Sequence, residues 1–320
     1  MASPPLPSSA ASVCLVTFNV YQLSRVTPEK LGALLAEKGA DVAALQETPC
    51  TLLQRIAAAA GLPYYVGCTL GQVAVLSRWP VIAADATGLC VHMDHTDRAL
   101  LRVLIETPWG AQLRLATAHL DHVLEPDRMV QWDVADHILR GRELQRGGSA
   151  LPTDVVVGVV PGGFSYAPGD IIPQPGVEVA RQYGPASALT PGGWIVVGDY
   201  NALSRGDYTQ SQWEGIASTR RISRWEEPVS ELTDNMRAAG WCDVMDTAAV
   251  KPGERTKRKG EGTCRFHTRI DYIWLDERAL TAWPPVPQSY EIFNREMVLS
   301  DHRAVSVRLR CAVASGDARR

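Results

Sequence analysis

The eight residues WIVVGDYN, at positions 194–201, are the clearest structural signal in this sequence. Four apolar residues predict a buried β-strand, which ends at a glycine followed directly by Asp199. A carboxylate without a partner is expensive to bury. An acid at the end of an apolar strand therefore indicates that something at this point of the protein needs a negative charge.

Polar residues stand at the ends of other apolar runs as well. Asn19 follows VCLVTF, Glu47 ends DVAALQE, and His119 ends a predicted β-hairpin. Because the ends of neighbouring strands lie side by side in a sheet, we expect these side chains to converge on one rim. Further candidates are Asp271, inside the run RIDYIWL, and the pair Asp301 and His302, just before the last predicted strand.

The chemical types of these residues favour a hard divalent cation. Carboxylates, carboxamides and imidazoles with no thiol pair nearby suit Mg²⁺, with Mn²⁺ as the alternative, rather than a structural zinc. Each residue alone has an ordinary explanation, since an aspartate after a strand is usually a turn former or a helix cap. The joint pattern at five strand ends is what indicates a functional site.

Composition limits the class of protein. The chain has 320 residues, 46% of them apolar and 21% charged, with a net charge of −3. This balance argues against tight nonspecific DNA binding but leaves room for a phosphorylated substrate or a local basic cleft. Seven cysteines without a CxxC pair indicate a reduced protein. With no secretory signal or membrane span in the sequence, we expect an intracellular monomer in the cytoplasm or nucleus.

The order of elements predicts an α/β sandwich. Strands and helices mix without strict alternation, which favours packed sheets covered by helices over a doubly wound parallel sheet. We expect one domain over residues 13–310, with tails at 1–12 and 311–320. A Gly/Pro-rich insertion at 141–193 is expected to pack over or beside the active cleft.

Two local predictions concern side chains outside this rim. The helix expected at 126–139 has Val130, Val134 and Ile138 at helical spacing, and His137 is expected in the core beside them. The basic stretch STRRISRW, residues 218–225, is similar to segments that bind nucleic acid, but we favour a solvated helix end with a buried Trp225.

Six short motifs occur in a recognisable order along the chain: TFNV, LQET, AHLDH, GDYN, RIDYI and SDH. Together they resemble the endonuclease/exonuclease/phosphatase superfamily, the DNase I-like fold, from about residue 13 to about residue 310. The resemblance implies a four-layer α/β sandwich in which two packed mixed β-sheets are flanked by helices. It also implies metal-dependent cleavage of a phosphoester.

The resemblance assigns the metal and the nucleophile to the first group of residues. It implies that Glu47 is the principal metal ligand, assisted directly or through water by Asn19 and Asp301. It also implies that Asp199 positions or deprotonates the attacking water, which Asn201 orients unless it contacts the phosphate instead.

The two histidines receive different roles from the same resemblance. His302 would bond a phosphate oxygen while Asp271 fixes its tautomer, and we expect a hydrogen bond of about 2.6–3.2 Å between them. His119 would stabilise the phosphorus centre or protonate the leaving oxygen. Arg98 enters a strand beside the predicted site and is a candidate phosphate contact.

The substrate stays open at this point. A phosphodiester, either nucleic acid or a small molecule, is the first expectation, and a phosphomonoester of a phospholipid or nucleotide is the alternative. The sequence HTRIDYI departs from the WRLDY motif of abasic-site endonucleases. A non-catalytic binding module is the alternative of a different class, but such a module would be expected to lose Glu47, Asp199 or His302.

Overall fold

The computed structural model describes most of the chain, and its thirteen strands form two sheets. The described residues are 11–89, 98–142, 171–173, 189, 191–247, 249–250, 261–294 and 297–312. The strands are Ser12–Asn19 (β1), Val42–Gln46 (β2), Tyr64–Cys68 (β3), Val73–Ser77 (β4), Val81–Gly88 (β5), Ala99–Glu106 (β6), Gln112–His119 (β7), Ile171–Pro173 (β8), Trp194–Asp199 (β9), Cys242–Asp243 (β10), Asp271–Leu275 (β11), Glu291–Phe293 (β12) and Ala304–Arg310 (β13).

The helices lie between these strands and on the surface of the sheets. They are Pro28–Glu37 (α1), Leu53–Ala60 (α2), Glu125–Arg140 (α3), Gln210–Ser223 (α4), Glu231–Ala238 (α5) and a last helix, Glu277–Ala282. Short 3₁₀ segments occupy Tyr21–Leu23, Cys50–Leu52, Leu70–Gln72, Arg205–Asp207 and Val244–Asp246. In the described part of the chain, no helix has both the length and the apolar character to cross a membrane.

Both sheets are mixed. The seven-stranded sheet has the order β12-β13-β1-β2-β4-β3-β8, and the six-stranded sheet has the order β10-β11-β9-β7-β6-β5. Among the paired strands of the described residues, β1 runs parallel to β2 and β7 runs parallel to β9, while the other pairs are antiparallel. The predicted pair of packed mixed sheets is therefore confirmed.

Apolar runs in the central strands are continuous because the strands are buried on both faces. In β1, Leu15 packs between the two sheets, whereas Phe18 packs under the helices α1 and α2. In β9, Ile195 lies between the sheets, and Trp194 lies on the outer face, in the cluster that α3 and α5 cover. Helix, sheet, sheet and helix form the four predicted layers.

Helix α3 is rotated somewhat from the predicted face: Val134 and Ile138 pack partly buried against the outer cluster, as predicted, but Val130 does not. Its buried apolar side chains include Trp132 and Leu139, whereas Val130 is 49% exposed. Trp132 contacts the Trp241 ring with centroids 5.4 Å apart, and this large ring sets the rotation of the helix. His137 is also not a core residue, because it is partly exposed and its Nδ1 lies 2.8 Å from the Asp133 carbonyl oxygen of its own helix.

The Gly/Pro-rich insertion contributes one described strand. Residues Ile171–Pro173 form β8, which pairs with β3 and is the edge strand of the seven-stranded sheet. Most of the rest of the insertion lies outside the described residues, as do residues 1–10 and 313–320 of the two predicted tails. The expected packing of the insertion on the cleft therefore stays a prediction.

Candidate active site

Strand register brings the predicted polar residues to one end of both sheets. His119, at the end of β7, pairs with Asp199 in parallel register, and Asp271, at the start of antiparallel β11, also pairs with Asp199. In the other sheet, β13 runs antiparallel to β1, so its start lies at the end of β1 that carries Asn19. His302, two residues before β13, belongs to the same rim as the others.

Gly198 allows the strands of this rim to approach closely. A Cβ atom at this position would lie 1.9 Å from the carbonyl oxygen of Ala118 on the neighbouring strand, and the φ angle of Gly198 is 145°. No other residue fits such an approach. The glycine of WIVVGDYN thus places Asp199 directly beside His119.

Asn19 connects carboxylates from the two sheets. Its Nδ2 donates to Glu47 Oε1 and to Asp199 Oδ2, both at 2.9 Å, and its Oδ1 accepts from the Tyr21 amide at 3.0 Å. The Ser300 hydroxyl donates to the Asn19 carbonyl at 2.7 Å and accepts from the His302 amide at 3.1 Å. Ser300 was not singled out in the sequence, although it is the first residue of the SDH motif.

Two site residues have a strained backbone. Glu47 has φ 53° and Asn201 has φ 51°, in the left-handed region that residues other than glycine seldom occupy. The Glu47 carbonyl accepts from the Gln22 amide at 2.9 Å, and the Asn201 side chain donates to the Leu120 carbonyl at 3.0 Å. Such strain costs of order 1–3 kcal/mol and is typical of functional positions whose surroundings hold them.

His302 is held by a carboxylate on each side of its ring. Its Nδ1 lies 2.9 Å from Asp271 Oδ2, within the expected hydrogen-bond range, and its Nε2 lies 3.7 Å from Asp199 Oδ2. Burial disfavours the charged ring, but the Asp271 and Asp199 carboxylates outweigh burial and raise the pKa of His302 well above its ordinary value. The predicted Asp271–His302 contact is confirmed.

His119 has an arginine where His302 has an aspartate. Arg98 Nη1 lies 2.9 Å from His119 Nδ1, and Arg98 Nη2 lies 3.1 Å from His122 Nδ1. Because a guanidinium group only donates, Nδ1 of His119 must accept, and its proton must be on Nε2. Burial, with the Arg98 and His302 charges, lowers the pKa of His119 well below its ordinary value.

Asp199 lies between the two histidines. Its Oδ2 is 3.6 Å from His119 Nε2 and 3.7 Å from His302 Nε2, and its Oδ1 accepts from the Asn201 amide at 3.0 Å. Burial raises the pKa of Asp199 to about 7; Asp271 adds to this rise, while His302 and Asn19 oppose it. A carboxyl group with a pKa near neutrality is suited to take up a proton.

The oxygen ligands fit a hard cation on one side of the rim. Within the described residues, the buried Oδ1 of Asp301 has no hydrogen-bond partner, and the Glu47 side chain is 23% exposed. Asp199, Asp271 and His302 also bring ligand atoms within 4.8 Å of one another. Within that group, Asp271 and His302 already bond each other at 2.9 Å.

A cavity of about 880 Å³ opens beside Asp301 and His302. Helix α4 and the turn at residues 264–268 line it, together with His122 and Leu124. Trp225, predicted as buried, is 46% exposed and lines this cavity, because its ring packs on Phe266 rather than in the core. Sequence patterns did not single out Phe266, which lies in a turn without periodicity.

Two polar stretches of the sequence, HMDHTDR and KPGERTKRKG, fall largely outside the described residues. Of HMDHTDR, residues 92–98, the structure describes Arg98, which lies in the site as predicted. The basic loop KPGERTKRKG, residues 251–260, also lies outside them.

A family profile matches nearly the whole described domain. The profile of the Endonuclease/Exonuclease/phosphatase family matches residues 16–302, which include all eight residues predicted for catalysis and metal binding. No curated protein matches the chain significantly.

Solved structures with the same fold have low sequence identity to this chain. An endonuclease/exonuclease/phosphatase from Beutenbergia cavernae has a TM-score of 0.54 at 14% identity, covering 94% of this chain and 72% of that one. D. rerio TDP2 complexed with a single-strand DNA product has a TM-score of 0.53 at 17% identity, covering 93% and 99%. A mannosyl-6-phosphatase from Bacteroides thetaiotaomicron has a TM-score of 0.54 at 13% identity, covering 93% and 99%. At these identities the likeness concerns the fold.

Proposed function

The chain belongs to the endonuclease/exonuclease/phosphatase family, and we propose that it is a hydrolase that cleaves a phosphodiester with the help of a divalent metal ion, Mg²⁺ or Mn²⁺. The observation that carries this proposal is the hydrogen-bonded rim in which Asn19 joins Glu47 to Asp199, between two histidines. A non-catalytic binding module would have no need to keep so many buried charges in register.

The metal ion would bind on the carboxylate side of the rim. Glu47 and Asp301 would hold it, since the first is partly exposed and the second has a buried oxygen without a hydrogen-bond partner among the described residues. Asn19 would support the site by fixing the Glu47 carboxylate through the 2.9 Å hydrogen bond. When bound, the ion would neutralise charge that develops on the phosphate during attack.

Asp199 would act as the base for the attacking water. Asn19 and Asn201 hold its two oxygens by hydrogen bonds, so the carboxylate has a defined direction. The Asn201 side chain would contact the water or the phosphate. One N–H of its Nδ2 donates to the Leu120 carbonyl, which leaves Oδ1 to accept from the water and the second N–H to donate to a phosphate oxygen.

The two histidines would stabilise the phosphate from two directions. His302, charged by its contact with Asp271, would donate from Nε2 to a phosphate oxygen. His119, neutral and protonated on Nε2, would donate a second hydrogen bond without adding charge. Arg98, which orients His119, would add its positive charge near the same phosphate.

Hydrolysis of bis(p-nitrophenyl) phosphate tests the proposal. We expect turnover with millimolar Mg²⁺, loss of turnover in excess chelator, and loss of both turnover and Mg²⁺ binding by calorimetry in Glu47→Gln. The exposed Glu37→Gln, on helix α1, is the matched control and should behave as the wild type.

Two outcomes would change the conclusion. Full activity in chelator would exclude the metal-dependent mechanism. Turnover of p-nitrophenyl phosphate without turnover of the diester would make the protein a phosphomonoesterase, as the mannosyl-6-phosphatase of the same fold is.

A further inference from the structure

Exposed apolar side chains cluster around the cavity beside His302. Of the nine large apolar side chains that the described residues expose, four line this cavity: Val123, Leu124, Trp225 and Phe266. Single exposed apolar residues are ordinary, but a cluster inside a concave surface marks a binding site. None of the four belongs to the catalytic rim described above.

Trp225 and Phe266 form an aromatic pair with accessible surface. Their ring centroids lie 4.7 Å apart with planes at 79°, an edge-to-face arrangement. Trp225 is 46% exposed and Phe266 is 47% exposed, so both rings retain surface for a ligand. Flat ligands such as nucleobases stack on rings of this kind.

Hydrogen bonds and ion pairs hold the two segments that carry these rings. The turn that carries Phe266 is attached to the catalytic segment, since the Arg265 amide donates to the Asp301 carbonyl at 2.8 Å. On the other side, the residue after Trp225 is Glu226, whose carboxylate bonds the buried Arg128. A preformed site loses little entropy when a ligand binds.

Charge around the cavity favours an anionic ligand. Arg220, Arg224 and Arg265 line it, against the carboxylates of Asp301 and Glu226. The Arg265 guanidinium lies 4.7 Å from the Phe266 ring centroid and 3.6 Å from Asp301 Oδ2, so it joins the aromatic pair to the rim. A positive charge beside an aromatic pair suits a ligand that combines a flat ring with phosphate.

We propose that this cavity binds a nucleoside attached to the scissile phosphate, with its base against Trp225 and Phe266. The proposal rests on the proposed function, because the phosphate must lie at His302 for the nucleoside to reach the rings. The acyl chain of a lipid would pack on Leu124 but would place apolar carbons beside the guanidinium groups of Arg220, Arg224 and Arg265, which a phosphate can bond. A nucleotide uses both features of the cavity.

Binding in chelator, where no hydrolysis occurs, isolates the contribution of the bases. Fluorescein-labelled dodecathymidylate is compared by anisotropy with an abasic dodecamer of the same length and charge. We expect the wild type to bind the thymidylate at least about 10-fold more tightly, since base stacking contributes about 1–3 kcal/mol per base. Trp225→Ala and Phe266→Ala should each remove most of that preference, and Trp225→Phe should retain part of it.

Trp109→Ala is the matched control. Trp109 is 37% exposed and forms an edge-to-face pair with Trp79, with centroids 5.3 Å apart, in the hairpin turn far along β6 and β7 from the rim. This variant should keep the preference for thymidylate. Unchanged thermal midpoints of all variants show that the fold is intact.

Three results would overturn the inference. They are equal affinity of the wild type for both oligomers, an unchanged preference in both alanine variants, or phosphatidylserine vesicle binding that Trp225→Ala abolishes in the absence of any base preference. Failure of the proposed function is separate, since it shows as absent hydrolysis of bis(p-nitrophenyl) phosphate with Mg²⁺. Base preference without hydrolysis would leave a nucleotide site without the proposed chemistry.

Discussion

The rim has a histidine on each side of Asp199, and the two histidines lie in opposite electrostatic environments. His119 and His302 are both buried, and each places Nε2 within 3.7 Å of the same Asp199 oxygen. They differ in the partner of Nδ1, which is the Arg98 guanidinium on one flank and the Asp271 carboxylate on the other. Burial disfavours the charged form of both rings, so the group at Nδ1 decides which of the two rings keeps a charge.

Under the proposed function, this difference would give the two rings separate tasks. The pKa of His302 is raised, so the ring is an imidazolium at neutral pH and can neutralise phosphate charge. The pKa of His119 is lowered, so the ring is neutral and offers one hydrogen bond from Nε2. Of the two roles that the sequence left open for His119, we favour stabilisation of the phosphorus centre over protonation of the leaving oxygen.

The largest effect should come from breaking the charged flank. His302→Ala and Asp271→Asn should each lower kcat by about 10³–10⁴-fold, the upper range for a positioned acid or base group. The double variant should be little worse than the worse single one, because residues that act as a unit do not give additive losses. Strictly multiplicative losses in steady-state kinetics would show that the two residues act independently.

Replacement of each ring by glutamine tests the comparison directly. A glutamine side chain supplies a neutral N–H donor. Neutral His119 provides the same, whereas charged His302 provides a donor and a positive charge. We expect His119→Gln to lower kcat by about 10-fold. His302→Gln keeps a donor but loses the positive charge, and we expect it to lower kcat by about 10³-fold, comparable to the loss of one group that stabilises a developing oxyanion. Equal losses in the two variants would contradict the division of roles.

Arg98 should matter through both its hydrogen bond and its charge. Arg98→Gln keeps a donor toward His119 Nδ1, whereas Arg98→Met removes it. We expect losses in kcat/KM of about 10-fold for glutamine and about 100-fold for methionine, within the range for one charge-assisted bond. Arg78→Met, at an exposed ion pair with Asp41, is the control. If glutamine and methionine are equivalent, Arg98 acts on the substrate alone.

The smallest effect is expected at Ser300, which connects the backbone of Asn19 to the backbone of His302. Its hydroxyl contacts the Asn19 carbonyl and the His302 amide, so Ser300→Ala leaves two buried backbone groups without that partner. We expect a loss of about 1–3 kcal/mol in the free energy of unfolding. Turnover should fall only several-fold. Denaturant titration measures the loss of stability, and steady-state kinetics on the same preparation measures the loss of turnover.

Much of the rim could be predicted because chain order and strand periodicity determine it. Each of Asn19, Glu47, His119 and Asp199 stands where an apolar strand ends, and such ends meet whenever the strands pair. The partner of His119 could not be predicted, since the Arg98 contact depends on how the β6–β7 hairpin twists at its open end. The Asp271–His302 pair could be predicted because an acid inside an apolar strand requires a partner.

Predictions of strands and of buried side chains failed where the local composition is a poor guide to burial. Strands β3 and β5 are among the strands that the sequence patterns did not single out, since YYVGC contains a glycine and VIAADATG is rich in small residues, which weakens the apolar alternation. Trp225 was expected to be buried beside a solvated helix end, but its side chain is 46% exposed at the cavity. The intracellular location and the monomeric state stay predictions.

Nuclear magnetic resonance of the ring nitrogens tests the central claim most directly. Long-range ¹H–¹⁵N correlation spectra of the metal-free protein at pH 7 distinguish an imidazolium from each neutral tautomer, and the two glutamine variants assign the signals. We predict that His302 carries protons on both nitrogens and that His119 carries one, on Nε2. A charged His119, a His119 protonated on Nδ1 alone, or a neutral His302 would contradict the account.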